Sequence, residues 1–142
     1  MLRQSSTYYV VSDLDFVGYF TLAIKTVVLN SSSFSSKEKS KLERFSKLDS
    51  ENKTYTVPAI LLAQFSRNFS ESSKSISGKL LMEIALNQIQ EIQDRAGGSL
   101  MFLECENIPS LIDFYASCGF KMLDSTRIKD NENELLQMFK LN

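Results

Sequence analysis

The sequence contains no histidine, and its two cysteines, Cys105 and Cys118, lack the spacing of metal ligands. These absences exclude a histidine-based catalytic triad and a zinc site, so we expect no metal cofactor. No apolar run approaches the length that crosses a bilayer, so we expect no membrane partner. The formal net charge is −1, which provides no overall basic field to attract nucleic acid.

The rest of the composition is that of a folded protein. Apolar residues make up 43% of the 142 residues and charged residues 23%, which argues against global disorder. A chain of this length can build one core, so we expect a single domain over residues 1–142. The first residues, from Met1 to Ser6, lack the apolar core of a signal peptide, and we therefore expect a cytoplasmic protein.

The stretch from Val57 to Ile92 predicts a strand, a loop and a helix in that order. The apolar run from Val57 to Phe65 is typical of a strand buried on both faces. From Gly78 onward, apolar residues recur at helical spacing, at Leu81, Ile84, Ala85, Ile89 and Ile92.

Between that strand and that helix, the segment from Ser70 to Gly78 consists mainly of small residues, with a lysine at Lys74. Free backbone N–H groups in such a loop, with the helix dipole behind them, suit a phosphate or pyrophosphate. The alternative is a serine-rich connector in which one serine caps the helix. This stretch alone does not decide between the two interpretations.

The residues before Val57 predict a hairpin followed by a charged excursion. Thr7–Val11 and Phe16–Leu29 are predicted strands of an antiparallel pair, with Gly18 as a bulge position. The excursion covers 30–52. Its charge is nearly balanced, since 37–53 contains six basic and four acidic residues. We therefore predict a solvated short helix, without a strong apolar stripe, rather than a site for an anionic partner.

The residues after the helix predict a second alternation of strand and helix, in which glycine ends the first helix and Pro109 begins the next. The predicted elements are a buried strand over 99–105, a helix from Pro109 to about Cys118, a strand over 120–123, a polar turn over 124–134 and a last strand over 134–141. This order predicts a mixed sheet with helices packed on it.

The order of elements and two local motifs resemble the GCN5-related N-acetyltransferases, from about Tyr8 to the C-terminus. That family has a loop Gln/Arg-x-x-Gly-x-Gly/Ala between a buried strand and a helix, and a later helix that ends Tyr-x-x-x-Gly-Phe. The segment from Phe114 to Phe120 fits the second motif. The segments 57–62 and 111–115 are similar to the branch of acetyltransferase toxins that modify aminoacyl-tRNA, and to its relatives in Gram-positive bacteria.

The resemblance implies an α/β fold with a central mixed, mostly antiparallel sheet flanked by helices. The usual N-terminal strand and helices of the family would be missing, because this sequence begins almost at the hairpin. The resemblance also implies acetyl-CoA as cosubstrate and Tyr115 as the catalytic proton donor to the leaving thiolate. The alternative is that Tyr115 is a core aromatic residue whose hydroxyl reaches the surface.

The resemblance further implies that the strand end and the loop bind the cofactor. The family's Gln/Arg position falls on Ser72, and its two small positions fall on Ser75 and Ser77. Serine adopts positive φ less readily than glycine, although Gly78 follows at once. The implied cofactor-binding residues are Phe65, Ser66, Arg67, Ser72, Ser73, Lys74, Ser75, Ile76, Ser77, Gly78 and Lys79. We interpret Asn107 as a helix cap rather than a cofactor contact, and we assign no general base to Glu104 or Glu106.

The predicted function is therefore transfer of an acetyl group from acetyl-CoA to a primary amine. Because the chain is slightly acidic, a small amine or a protein amine is favoured as acceptor over aminoacyl-tRNA. The alternative is a degenerate or truncated, non-catalytic module with the same fold. Such a module would act by binding a partner or by forming a homodimer through an exposed sheet edge.

Overall fold

The computed structural model describes residues 5–12, 15–67, 76–130 and 133–142. Strands and helices alternate as the sequence predicts, and a single turn of 3₁₀ helix at Ser31–Ser33 precedes the first α-helix. The elements are β1 (Ser5–Ser12), β2 (Asp15–Asn30), α1 (Ser36–Leu42), β3 (Thr54–Arg67), α2 (Gly78–Ala96), β4 (Leu100–Glu106), α3 (Pro109–Ser117), β5 (Lys121–Asp130) and β6 (Asn133–Leu141).

Six strands form one sheet in the order β1-β2-β3-β4-β6-β5. All neighbouring strands are antiparallel except β3 and β4, which run parallel and are joined by α2 as a crossover. The predicted architecture, a mixed and mostly antiparallel sheet with flanking helices, is confirmed. None of the helices in the described ranges is both long and apolar enough to cross a membrane.

Both faces of the sheet are covered by helical segments, which explains the nearly continuous apolar run of β3. On β3, Ile60 and Leu62 belong to the core on the side of α2 and α3, whereas Val57 and Ala59 belong to the core on the side of α1. The helix α2 buries the residues Leu81, Met82, Ala85, Ile89 and Gln93. It ends at Ala96, and Gly97, with a φ of 88°, follows as the C-cap, as the sequence predicts.

The excursion between β2 and β3 forms a short helix, α1, as predicted, but two apolar residues of the excursion are not solvated. Phe34 and Leu42 are buried, at 5% and 0% exposure, and belong to the core on the α1 side. The ring of Phe34 meets that of Phe139 edge-on at a centroid distance of 5.1 Å. Two apolar residues thus anchor an otherwise charged segment to the sheet.

A bulge in the first hairpin lies beside Gly18, the glycine at which the sequence predicts one. The pairing of β1 with β2 passes from Val10↔Gly18 to Val11↔Phe16, so Val17 is the extra residue. A Cβ at Gly18 would lie 2.9 Å from both the Ser66 carbonyl oxygen and Leu81 Cδ2. Gly18 therefore allows β2, β3 and α2 to approach one another closely.

The C-terminal hairpin is longer than the sequence suggests. The prediction of a polar turn over 124–134 is wrong for 124–130, because β5 continues to Asp130 and pairs with β6. The polar residues of this part are held in a strand by backbone pairing with a neighbour, which does not depend on an apolar pattern.

Candidate active site

The candidate active site lies where β3 and β4 separate. These strands pair with each other at Ile60↔Met101, Leu61↔Phe102 and Leu62↔Leu103. Both strands continue beyond these residues but no longer pair with each other. At the same level, the pairing of β2 with β3 passes from Leu22↔Leu62 to Thr21↔Gln64, so Ala63 is the extra residue of a bulge. A bulge bends its strand and increases its twist, which directs the end of β3 away from β4.

The gap between the two strands forms a cleft of about 370 Å³. Four elements contribute to its walls: the ends of β3 and β4, the helix α3, and the start of β6. The lining residues are Leu62, Ala63, Phe65, Leu103, Glu104, Cys105, Glu106, Leu111, Tyr115 and Leu135. Most of these residues are apolar in type, but polar groups contribute the larger part of the surface exposed in the cleft. A concave site in which several polar groups converge can orient a small molecule.

Tyr115 reaches this cleft from α3, which begins at Pro109 in the first helical turn, as predicted. Its side chain is half-buried, and burial raises the pKa of its hydroxyl, with smaller contributions from the nearby Cys105 and Cys118 thiols. The hydroxyl therefore stays protonated throughout the neutral range. It is equipped to donate a proton rather than to accept one.

Aromatic rings hold Tyr115 in place and connect α3 to the start of α2. Its ring meets those of Phe114 and Phe120 edge-on, at centroid distances of 5.3 and 6.2 Å. Phe114 in turn lies 6.2 Å from the ring of Phe65 on β3. A Cβ added at Gly78 would lie 3.3 Å from the Phe114 ring, so this glycine allows α2 to begin close to α3.

The ends of the predicted cofactor loop lie next to this aromatic cluster. Arg67 Nη1 donates to the Ile76 carbonyl oxygen at 3.3 Å and so links the end of β3 to the start of α2. Ser77 is the N-cap of α2, and its hydroxyl accepts from the Leu80 N–H at 3.1 Å. The predicted residues Ser72, Ser73, Lys74 and Ser75 lie outside the described residues. The other predicted residues flank the loop. At the end of β3 they are Phe65, Ser66 and Arg67, and around the start of α2 they are Ile76, Gly78 and Lys79.

The remaining polar residues of the cleft come from β4. Glu104 and Glu106 line it with exposed side chains, and the buried Cys105 lies between them. Burial raises the pKa of the Cys105 thiol, so little of it is the nucleophilic thiolate at neutral pH. Asn107 is not the helix cap that we expected, because Ile108 is the N-cap of α3 and no side chain caps that helix.

Sequence reasoning missed two features that shape the cleft. Ala63 gives no sign of a bulge in the sequence, since its position depends on pairing with a strand some forty residues earlier. Leu135 lines the cleft only because β6 pairs with β4 as far as the last residue of β4, Glu106. Tyr115 of the pattern Tyr-x-x-x-Gly-Phe lines the cleft, and its role as proton donor stays a prediction.

The six-stranded sheet, with its parting parallel strands and its flanking helices, has the fold of the GCN5-related N-acetyltransferases. The similar solved structures include AtaT complexed with acetyl-methionyl-tRNAfMet, with a TM-score of 0.60, 20% identity, and coverage of 94% of this chain and 70% of the AtaT chain. A Bacillus subtilis acetyltransferase in complex with CoA is also similar, with a TM-score of 0.57 and 11% identity. The match covers 98% of this chain and 78% of the Bacillus subtilis chain.

An acyl-CoA N-acyltransferase from Pseudomonas aeruginosa is similar as well, with a TM-score of 0.54, 12% identity, and coverage of 98% of this chain and 70% of its own. By sequence, no protein-family model and no curated protein matches the chain. At these low identities, the structural likeness establishes the fold.

Proposed function

We propose that this chain, as a single domain over residues 1–142, is an acetyl-CoA-dependent N-acetyltransferase acting on a primary amine. The observation that carries the proposal is the cleft between the parted strands β3 and β4, with the half-buried Tyr115 in its wall. The likeness to bacterial acyltransferases supports the same activity and leads us to propose a bacterial, cytoplasmic protein.

The cleft has the features that the pantetheine arm of acetyl-CoA needs. The last residues of β3 pair with β2 but not with β4; they are Phe65, Ser66 and Arg67. Their backbone groups on the side of β4 are therefore not hydrogen-bonded to that strand. A ligand with amide groups can pair with such an edge as an added strand does. The loop that follows, with Ser72, Ser73, Lys74 and Ser75, and the first turn of α2 would then hold the pyrophosphate through N–H groups. The similar Bacillus subtilis structure is a complex with CoA, which supports CoA as the kind of ligand.

Tyr115 would act as the proton donor of the reaction. An acceptor amine would attack the thioester carbon of bound acetyl-CoA, so that an N–C bond forms and the C–S bond breaks. The proton lost by the amine would pass to water, from which Tyr115 is later reprotonated. The Tyr115 hydroxyl, kept protonated by its raised pKa, would donate its proton to the sulfur of the leaving thiolate. Phe114 and Phe120 would fix the direction of that hydroxyl by their edge-on contacts with the ring.

The walls of the cleft favour an amine that is not attached to a polyanion. Glu104 and Glu106 line it, and none of its described lining residues is basic. Carboxylates attract a cationic amine and repel phosphates. We therefore propose a small amine or a protein amine as acceptor, and we rank aminoacyl-tRNA below them, although AtaT forms a complex with acetyl-methionyl-tRNAfMet.

Calorimetric titration of the full chain with acetyl-CoA tests the proposal, with desulfo-CoA as a comparison ligand. We expect binding of both in the micromolar range, because neither the strand edge nor the loop requires the sulfur atom. Micromolar binding justifies a screen of acceptor amines for transfer. A folded sample that binds neither ligand would contradict the proposal.

One observation favours the alternative function, a non-catalytic module that pairs through its sheet edge. The strand β1 lies at the edge of the sheet and contains no charged residue or proline, and its Tyr9 and Val11 side chains are 71% and 58% exposed. Sedimentation of the parent chain and of Thr7→Lys tests it. A dimer that Thr7→Lys dissociates, in a chain that does not bind acetyl-CoA, would favour this alternative.

A further inference from the structure

A second pocket, of about 210 Å³, lies between α1 and the C-terminal strands. Its charged side chains are four lysines and one glutamate, a strong local excess of positive charge in a chain whose net charge is −1. The lining residues are Ser35, Lys37, Glu38, Lys41, Gly119, Lys121, Phe139, Lys140 and Leu141. We refer to this site, defined by Lys37, Lys41, Lys121 and Lys140, as the lysine pocket.

The fold brings these lysines together from three elements. Lys37 and Lys41 are four residues apart and therefore lie on one face of α1. Lys121 begins β5 and Lys140 lies near the end of β6. A Cβ at Gly119 would lie 3.0 Å from Lys140 Nζ, so the glycine leaves space for that ammonium group.

The carboxylate of the pocket pairs with only one of the four lysines, Lys121, because its other oxygen is engaged in capping α1. Glu38 Oε1 accepts from the Ser35 N–H at 3.0 Å in a capping box, and Oε2 lies 3.5 Å from Lys121 Nζ. Burial opposes ionisation, but these hydrogen bonds and the Lys121 charge hold the pKa of Glu38 below its usual value. Lys37, Lys41 and Lys140 have no carboxylate partner among the described residues.

Such an arrangement is electrostatically unfavourable without an anion. Like charges four residues apart weaken a helix, and the two strand lysines add to that repulsion. The ammonium groups are exposed or half-exposed point charges, not a buried set of donors shaped around one small ion. A phosphate chain that crosses the pocket would neutralise several of them at once.

We propose that the lysine pocket binds the phosphate backbone of a nucleic acid. The pocket lies away from the cleft, since Leu135 and Lys140 are five residues apart on β6, or about 16 Å at the rise of a strand. Binding there is thus separate from the proposed binding of acetyl-CoA. Contacts to phosphates alone carry no base preference, so RNA and DNA single strands of equal length should bind alike.

Fluorescence anisotropy with a labelled 20-nucleotide uridylate RNA, measured over a series of KCl concentrations, tests the proposal. Each phosphate neutralised on a single strand contributes about 0.7 to the slope of log K against log salt. The triple variant Lys37→Gln, Lys41→Gln, Lys140→Gln should therefore reduce that slope by about 2. It keeps Lys121, and with it the contact to Glu38.

The matched control is Lys25→Gln, Lys47→Gln, Arg95→Gln, which removes the same charge from exposed positions outside the pocket. It should keep the parent slope, and circular dichroism should show that both triple variants are folded. Parent protein that does not bind the RNA, or equal slopes for the two triple variants, would overturn the proposal. Binding of inorganic pyrophosphate that the pocket variant loses, without RNA binding, would show a small-anion site instead. None of these outcomes bears on acetyl-CoA binding, which is measured separately.

Discussion

Leu62 and Leu103 form the last residue pair between β3 and β4. The next residue of β3, Ala63, is the extra residue of the bulge against β2. The pairing of β3 with β4 therefore ends at the same point as the bulge in the pairing of β2 with β3. Together the two features open the sheet on the side where Tyr115 projects from α3. The position of the cleft is thus set by backbone pairing.

Replacement of Tyr115 by phenylalanine should reduce turnover by about 10²- to 10⁴-fold, the usual contribution of a general acid. The affinity for acetyl-CoA should change little, because the ring and its contacts with Phe114 and Phe120 remain. Steady-state kinetics combined with calorimetry separates the two effects. Tyr19→Phe on the hairpin is the control and should behave as the parent does. Parallel losses of turnover and affinity would mean that Tyr115 is structural.

Two substitutions of Ser77 separate helix capping from cofactor binding. Ser77→Ala should lower the free energy of unfolding by about 1 kcal/mol, because the Leu80 N–H loses its acceptor. Ser77→Asp can still cap α2, but it adds a negative charge beside the proposed pyrophosphate site and should weaken acetyl-CoA binding. Chemical denaturation and calorimetry measure the two quantities. Ser35→Asp, at the cap of α1, should leave acetyl-CoA affinity unchanged. Unchanged affinity in Ser77→Asp would remove this helix end from the site.

The close approach at Gly18 should make its substitution costly. In Gly18→Ala the new methyl group would meet the Ser66 carbonyl oxygen at 2.9 Å, and backbone there cannot move without disturbing β3. We expect a loss of about 1–3 kcal/mol in the free energy of unfolding. Gly78→Ala meets only the Phe114 ring, at 3.3 Å, and should cost less. Urea denaturation compares the two, and equal losses would contradict this account.

Stability should fall at alkaline pH because the folded state favours protonated tyrosines. Burial raises the pKa of Tyr115, and burial together with the hydrogen bond to Glu43 raises that of Tyr55. Above about pH 10, the ordinary pKa of tyrosine, the unfolded chain loses these protons first, so folding stability declines as the pH rises. Urea midpoints from pH 8 to 11 measure the decline. Tyr55→Phe should make it less steep, and a parent midpoint that is flat above pH 10 would refute the prediction.

Local patterns in the sequence were sufficient for the elements that carry their own periodicity or caps. The helix α2 begins at Gly78 and ends before Gly97, as its apolar spacing and glycines indicated. Tyr115, Gly119 and Phe120 stand in a short motif, and the structure places Tyr115 in the cleft. These features depend on residues within a few positions of one another.

Features that depend on distant partners could not be predicted in this way. Phe34 and Leu42 look like isolated apolar residues in a charged segment, and only the sheet beneath α1 shows that they are buried. The lysine pocket combines α1 with strands some eighty residues later, so a count of charges along 37–53 could not reveal it. The polar strand β5 is defined by its pairing with β6.

The three residue pairs between β3 and β4 form the shortest ladder among the described strands. On either side of them lies a three-stranded antiparallel unit, β1–β3 and β4–β6, with far longer ladders. Local unfolding that separated the two units would break few backbone hydrogen bonds there, and it would also have to disrupt the core that α2 shares with both units. A ligand that binds in the cleft would therefore also act as a clamp across this seam.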